Sequence, residues 1–205
     1  LLGRFITSRL SAIREWPAWA RRNFQPPYPT AVKRRTIAQY IKPSSVFIET
    51  GTYFGKTAVW ASRRCETVHT IELSDSLYAK VSPGLKSRGI HAHHGDSMSI
   101  LPGILDSTTS GSVVIWLDAH WSGGFTARAE SGDTPVVAEL QAIESWFQSR
   151  PGISLSVLID DLRDFDRDEA YPDPELLLQF SKRNGMDVSF ANDIFAATSK
   201  GQVKT

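Results

Sequence analysis

Residues 46–57 read Val-Phe-Ile-Glu-Thr-Gly-Thr-Tyr-Phe-Gly-Lys-Thr. An apolar run ends in an acid, passes two glycines and opens into helix-forming residues. Glycine lets the backbone turn tightly and approach a ligand closely. The helix start that follows offers free N–H groups. A strand, a glycine loop and a helix in this order predict an α/β domain holding a nucleoside cofactor. A dinucleotide fingerprint would read G-x-G-x-x-G. Here the spacing is G-x-x-x-G, from Gly51 to Gly55, with Glu49 two residues ahead. That acid repels a pyrophosphate but suits a ligand bearing an amino group. Lys56 is not followed by the P-loop pattern, so a triphosphate site is not supported. A purely structural turn is the alternative.

The rest of the chain alternates in the same way. Strands are predicted at 46–49, 67–72, 89–94, 112–118 and 153–159, with a closing pair at 186–190 and 193–198 about Asn192-Asp193. Helices are predicted at 31–42 (capped by Thr30), 56–63, 74–86, 97–103, 134–149 (Thr134 as cap, Pro135 at the first position) and 174–182. Alternating apolar strands and helices mean a mostly parallel sheet covered on both faces. Ligands of such sheets lie beyond the carboxyl ends of the strands. Each of the five leading strands ends in an acid: Glu49, Glu72, Asp96, Asp118 followed by His120, and the pair Asp160-Asp161.

The 205 residues suffice for one domain and a short appendage, taken as a basic helical extension with a proline-rich linker (1–30) and the domain proper (31–205). One or two short amphipathic helices, interrupted at Pro17, are expected over 4–22, then a stiff extended linker at 25–29. Residues 1–42 carry nine Lys/Arg against one acid, whereas the remainder carries fourteen against twenty-one. This asymmetry suits an anionic membrane surface or an acidic partner meeting residues 1–25. Equally, the leader's Trp16 and Trp19 can pack on the body under a solvated charged face. No apolar run reaches the length of a membrane span. The single cysteine, Cys65, allows no internal disulfide and fits a reducing compartment, so a cytoplasmic protein is expected, with peripheral membrane contact left open.

Glu49-x-Gly51-x-x-x-Gly55, Ile71-Glu72 and Gly95-Asp96-Ser97 resemble, in order and spacing, the class I S-adenosylmethionine-dependent methyltransferases. Glu49-x-Gly51-x-Tyr53-x-Gly55-x-Thr57 is similar to the loop of the catechol-type, metal-dependent O-methyltransferases. Trp116-Leu-Asp118-Ala-His120 and Leu158-Ile-Asp160-Asp161 are similar to their two metal-binding strand ends, and the paired acids look more like the macrocin-type sugar O-methyltransferases. The resemblance covers roughly residues 45–165 and implies a Rossmann-like three-layer sandwich. It implies that Glu49 and the Gly51 and Gly55 backbone hold the amino-acid end of S-adenosylmethionine, with Tyr53 and Thr57 also among the cofactor-binding residues. Glu72 would take the ribose, with Asp96 and Ser97 beside the adenine and Asp118 at the cofactor's edge. Asp118, Asp160 and Asp161 would bind a divalent ion, Mg²⁺ first.

Three converging carboxylates repel one another unless a cation compensates, and an all-oxygen set suits Mg²⁺, Ca²⁺ or Mn²⁺ rather than zinc. The expected reaction is O-methylation of a small acceptor, a sugar or glycosylated metabolite, with His120 as general base beside Asp118. The catechol type carries a lysine where this chain has Trp121. The glycine-bearing loop at 122–133 reads as a lid, with Arg128 facing an acidic acceptor and Tyr53, Trp121 and Phe125 as stacking faces. His91, His93 and His94 read as packing or cofactor-edge residues, since alternation splits His93 from His94. No nucleic-acid partner is expected, and a homo-oligomer is left open. Three rivals stay in view: a metal-independent methyltransferase, a non-catalytic cofactor-binding domain tethered by its leader, and a hydroxylase on the same fold.

Overall fold

The protein is described by a computed structural model over residues 15–118, 135–165, 167 and 171–200. Its strands are β1 (Val46–Thr50), β2 (Thr67–Glu72), β3 (His91–His94), β4 (Ser112–Leu117), β5 (Ser154–Ile159), β6 (Met186–Ala191) and β7 (Ile194–Ser199). They form a single sheet in the order β3-β2-β1-β4-β5-β7-β6. The first five run parallel, while β7 is antiparallel to both β5 and β6. β1 and β4 are buried along their whole length, as near-continuous apolar runs should be at the centre of a parallel sheet.

Helical backbone at 15–21 (α1) precedes α2 (Thr30–Ala38), α3 (Lys56–Ala61), α4 (Asp75–Lys86), α5 (Ser97–Ser107), α6 (Val136–Gln148) and α7 (Glu175–Arg183). One sheet face packs Phe47, Val68, Trp116 and Leu158 against α2 to α4 through Ile37, Ala58 and Leu85. The other packs Ile48, Ile71, Ile115 and Val157 against α5 to α7 through Leu101, Ile143 and Phe180. The three-layer sandwich expected from the sequence is therefore present. Among the described residues no helix is long and apolar enough to cross a membrane.

Four local expectations are corrected. Helical backbone continues through Pro17, where an interruption was expected. Thr30 is the first residue of α2 rather than its cap, and the cap comes from far away: Glu15 accepts from the Thr30 N–H at 2.9 Å and hydroxyl at 3.2 Å. The linker bends at a cis Pro26–Pro27 bond instead of running straight. Pro135 precedes α6 rather than opening it, and Thr134 lies outside the described residues. Around the linker, Trp19 collects Trp16, Phe24 and Tyr28 at ring-centroid distances of 5.4, 4.9 and 5.5 Å.

The β6–β7 hairpin closes on Asn192 and Asp193, whose φ values are 55° and 69°. Two consecutive left-handed residues make the turn whose twist matches antiparallel strands, and Asn and Asp tolerate that conformation best after glycine. Its tip is tied to two other elements. Asn192 Nδ2 donates to Thr36 Oγ1 of α2 at 2.9 Å. Asp193 accepts from the Arg163 N–H at 2.9 Å, just beyond the end of β5.

Candidate functional site

The β1–α3 loop folds back onto β2. Gly51 and Thr52 N–H both donate to Ile71 O, at 3.0 and 3.1 Å. Tyr53 N–H donates to Glu72 Oε2 at 2.8 Å, and Ser74 N–H to Oε1 at 2.9 Å. Glu72 thus organises the loop with both oxygens, a role the sequence did not signal, and keeps one further lone pair on each for a ligand. Tyr53 takes a φ of 46° and stands half exposed against Phe54, with ring centroids 4.1 Å apart.

Gly55 has a φ of 65°, and a Cβ there would lie 2.8 Å from Cδ2 of the buried Leu85, near the C-terminal end of α4. The left-handed backbone alone costs a branched residue about 1–2 kcal/mol, and overpacking adds about 1–3 kcal/mol. Gly55→Val is expected to lower unfolding free energy by about 2–5 kcal/mol in urea denaturation, and Gly55→Ala by less.

Glu49 is 1% exposed. Its Oε2 accepts from Thr70 Oγ1 at 2.7 Å, which in turn meets Thr52 Oγ1 at 2.7 Å. Burial pushes the carboxyl up to about 8, although Thr70 and the nearby charge of Arg34 pull the other way. A buried acid of this kind is poised for a cationic group. Thr57 sits in the first turn of α3, beside this loop.

Asp96 accepts from the Met98 N–H at 3.0 Å and so caps α5, with Ser97 buried behind it. Packed near both is Glu139 of α6, 1% exposed, which the sequence reading passed over. Burial pushes its carboxyl up to about 7 against the pull of the Ser97 and Thr50 hydroxyls. Its Oε1 has no hydrogen-bond partner.

The acids at the ends of β4 and β5 do converge. Asp118, Asp160 and Asp161 each offer a carboxylate oxygen within 4.8 Å of the others. Parallel registry brings them together: Leu117 pairs with Ile159, so Asp118 and Asp160 leave adjacent strands at the same level. Asp161 turns back with a φ of 52°. The compensating charge comes first from the protein. Lys33 of α2 places Nζ 2.7 Å from Asp160 Oδ2 and 2.8 Å from Asp161 Oδ1. Burial alone would drag this ammonium down, but Asp160 and Asp161 outweigh it and hold it above the ordinary lysine range. Arg163 adds a contact to Asp161 Oδ1 at 2.6 Å and pairs with Asp193 of the hairpin tip. Lys33 and Arg163 already supply compensating positive charge, so the convergence of the three acids does not by itself require a metal ion. The donor set still fits an oxygen-preferring ion in kind, but that ion would share or displace the oxygens Lys33 holds.

The histidines split as alternation requires. His69 of β2 stacks on His91 and His93, with ring centroids 4.7 and 5.3 Å away, and its Nδ1 lies 3.0 Å from His93 Nε2. His94 turns to the other face, stacks on Tyr78 and meets Asp75 at 2.8 Å. None of these four joins the acidic cluster. The proposed base His120, together with Trp121, Phe125 and Arg128, lies outside the described residues.

No family model matches the chain, and no curated protein matches it. Solved structures do. A precorrin-6y C5,15-methyltransferase of Geobacter metallireducens GS-15 superposes with a TM-score of 0.52 at 13% identity, over 83% of this chain and 88% of that one. The fold is that of the class I methyltransferases. Two further structures with this methyltransferase fold are a protein of Pyrococcus horikoshii OT3 and precorrin 8w decarboxylase of Methanobacterium thermoautotrophicum. The first has a TM-score of 0.51 at 11% identity, over 82% of this chain and 87% of that one. The second has 0.50 at 14%, over 85% and 91%.

Proposed function

We propose that the protein transfers a methyl group from S-adenosylmethionine to a hydroxyl of a small acceptor, with a sugar or glycosylated metabolite favoured by the resemblance. The observation that carries this reading is one continuous edge. Glu49, Glu72, Asp118 and Asp160 line the carboxyl ends of β1, β2, β4 and β5, with the glycine loop at one end and the acid cluster at the other. Glu49 would take the cofactor's amino group, Glu72 its ribose, and the α5 end with Asp96 and Ser97 its adenine. Methyl transfer is an in-line displacement at carbon, so the chain's task is to align donor and acceptor across that edge. The fold by itself does not choose the acceptor. Neighbours with it include both a methyltransferase and a decarboxylase by name.

Asp118, Asp160 and Asp161 would hold Mg²⁺ or a similar ion. When bound, it would orient the acceptor hydroxyl and ease loss of its proton. His120, two residues past Asp118, would receive that proton. Lys33 favours a second reading, in which the site works without a metal and the ammonium itself orders the carboxylates. Chelation separates the two. On the first reading, activity falls by at least about tenfold in chelator, returns with Mg²⁺, and loses its metal response in the Asp160→Asn, Asp161→Asn double variant. On the second, chelator and Mg²⁺ change nothing, while Lys33→Met lowers activity by a similar factor. Mass spectrometry of product from methyl-labelled cofactor tests the reaction itself. Gain of oxygen rather than a methyl group would point to hydroxylation, and tight cofactor binding with no turnover on any acceptor would point to a binding domain.

A further inference from the structure

Arg34 is an anomaly that the cofactor reading so far leaves unused. It follows Lys33 on α2, but the two side chains diverge. Lys33 reaches β5, whereas Arg34 lies against Trp60 of α3, its guanidinium carbon 5.9 Å from the ring centroid. Its Nε and Nη2 are both buried and have no hydrogen-bond partner. Buried donors on a cation are costly to leave unmade. The charge nearby is that of Glu49 and Glu15, and Arg64 opposes it. Yet Glu15 spends its two oxygens on Thr30, and Glu49 makes no ion pair with Arg34 within 4 Å. A second orphan stands beside them. Trp116 pairs with Glu49 in the β1–β4 register, on the same face of the sheet, and is 2% exposed with an unpartnered Nε1.

One face thus presents a buried acid, a half-buried guanidinium with two buried donors, and a buried indole N–H, with two of the three wanting acceptors. A ligand that satisfies all three carries a cation and an anion close together, as the α-ammonium and α-carboxylate of an amino acid do. We infer that Arg34, seconded by the indole N–H of Trp116, receives the α-carboxylate of the cofactor's amino-acid end while Glu49 holds its α-ammonium. Arg34 is then a specificity residue. It makes the site select the complete amino-acid tail over an adenosyl thioether that lacks the carboxylate. This inference rests on the S-adenosylmethionine reading of the site.

The test uses the full chain and two ligands, S-adenosylhomocysteine and its decarboxylated analogue, titrated calorimetrically against wild type and Arg34→Met. A charge-assisted hydrogen-bond pair predicts about a 10- to 100-fold loss of S-adenosylhomocysteine affinity in the variant. The analogue should lose less than about threefold, and wild type should prefer the intact ligand by a similar 10- to 100-fold factor. Arg34→Lys should recover part of the preference, because it restores the charge without the fork. Removing a half-buried cation with two unsatisfied buried donors should also leave the melting temperature of the ligand-free protein unchanged or higher, so the variant is expected to fold. Equal losses for both ligands, or none for either, would overturn the role of Arg34 and leave the cofactor reading standing. Wild type that binds neither ligand would overturn the cofactor reading, and this inference with it.

Discussion

Binding of S-adenosylhomocysteine at pH 7 is expected to release close to one proton per site. The ligand-free Glu49 carboxyl, held near 8 by burial, is mostly protonated at that pH. An ammonium group beside it favours the carboxylate, so the proton leaves as the ligand arrives. The sign is fixed: affinity rises with pH through the ligand-free value and levels off above it. Between pH 6 and 8 the ionised fraction grows from about 1% to about half, which corresponds to a gain of about 50-fold in affinity. Titration in two buffers of different ionisation enthalpy measures the proton directly. Glu49→Gln should abolish both the proton release and the pH dependence, and should bind about 100-fold more weakly at pH 8. Heats independent of buffer, with flat affinity across this range, would remove Glu49 from the ammonium site.

The ligand-free protein should lose stability as the pH rises from about 4.5 to about 8. Glu49 and Glu139 are held in the fold up to about 8 and about 7, from ordinary values near 4.5. Between the ordinary and the raised values the folded state keeps protons that the unfolded chain has released. Their contribution is therefore complete only below about pH 4.5, falls steadily above it, and is gone once pH has risen past about 7 for Glu139 and about 8 for Glu49. At about 1.4 kcal/mol per unit the ceilings are about 5 kcal/mol for Glu49 and about 3 kcal/mol for Glu139. His69 works in the opposite sense. Burial, with His91 and His93 adding to it, lowers it to about 4, so the unfolded chain takes its proton first and stability falls as pH drops below 6.5. The maximum should lie near pH 4.5, where the two glutamates begin to outweigh the histidine, with a decline of about 5 kcal/mol at most by pH 8. Urea denaturation at each pH reads it. In Glu49→Gln with Glu139→Gln the alkaline limb should flatten, and an alkaline limb of undiminished slope in that variant would place the titrating groups elsewhere.

The fold was legible in the sequence because its signals are local. Short apolar strands, glycine loops and periodic helices alternate without exception from β1 to β5. The acids that mark the ligand edge were legible for the same reason, since each sits one step beyond an apolar run. What escaped were charges inside apolar stripes. Lys33 falls on the buried stripe of α2 with Ile37 and Tyr40, and Glu139 falls on that of α6 with Val136 and Ile143. A charge in such a position is a signal, because it must find a partner or shift its titration. In Lys33 and Arg34 the signal was absorbed into the basic count of residues 1–42, where they looked like part of a solvated leader. The cap of α2 by Glu15 was hidden for another reason. It joins residues fifteen apart through a cis-proline bend that no local pattern announces.

The hairpin tip bears on the order in which the protein is made. On the ribosome, Asp160 and Asp161 emerge well before Asn192 and Asp193. Until the tip exists, Arg163 lacks the residue thirty positions downstream that anchors its N–H and guanidinium, and α2 lacks its tie through Thr36. A nascent chain can therefore finish the glycine loop and the β1–β2 contacts, and bring Lys33 to Asp160 and Asp161, before the tip fixes Arg163 beside them. On the proposed reading, the cofactor end is written early in translation, and the acceptor end is completed only when the last two strands have turned back on the sheet.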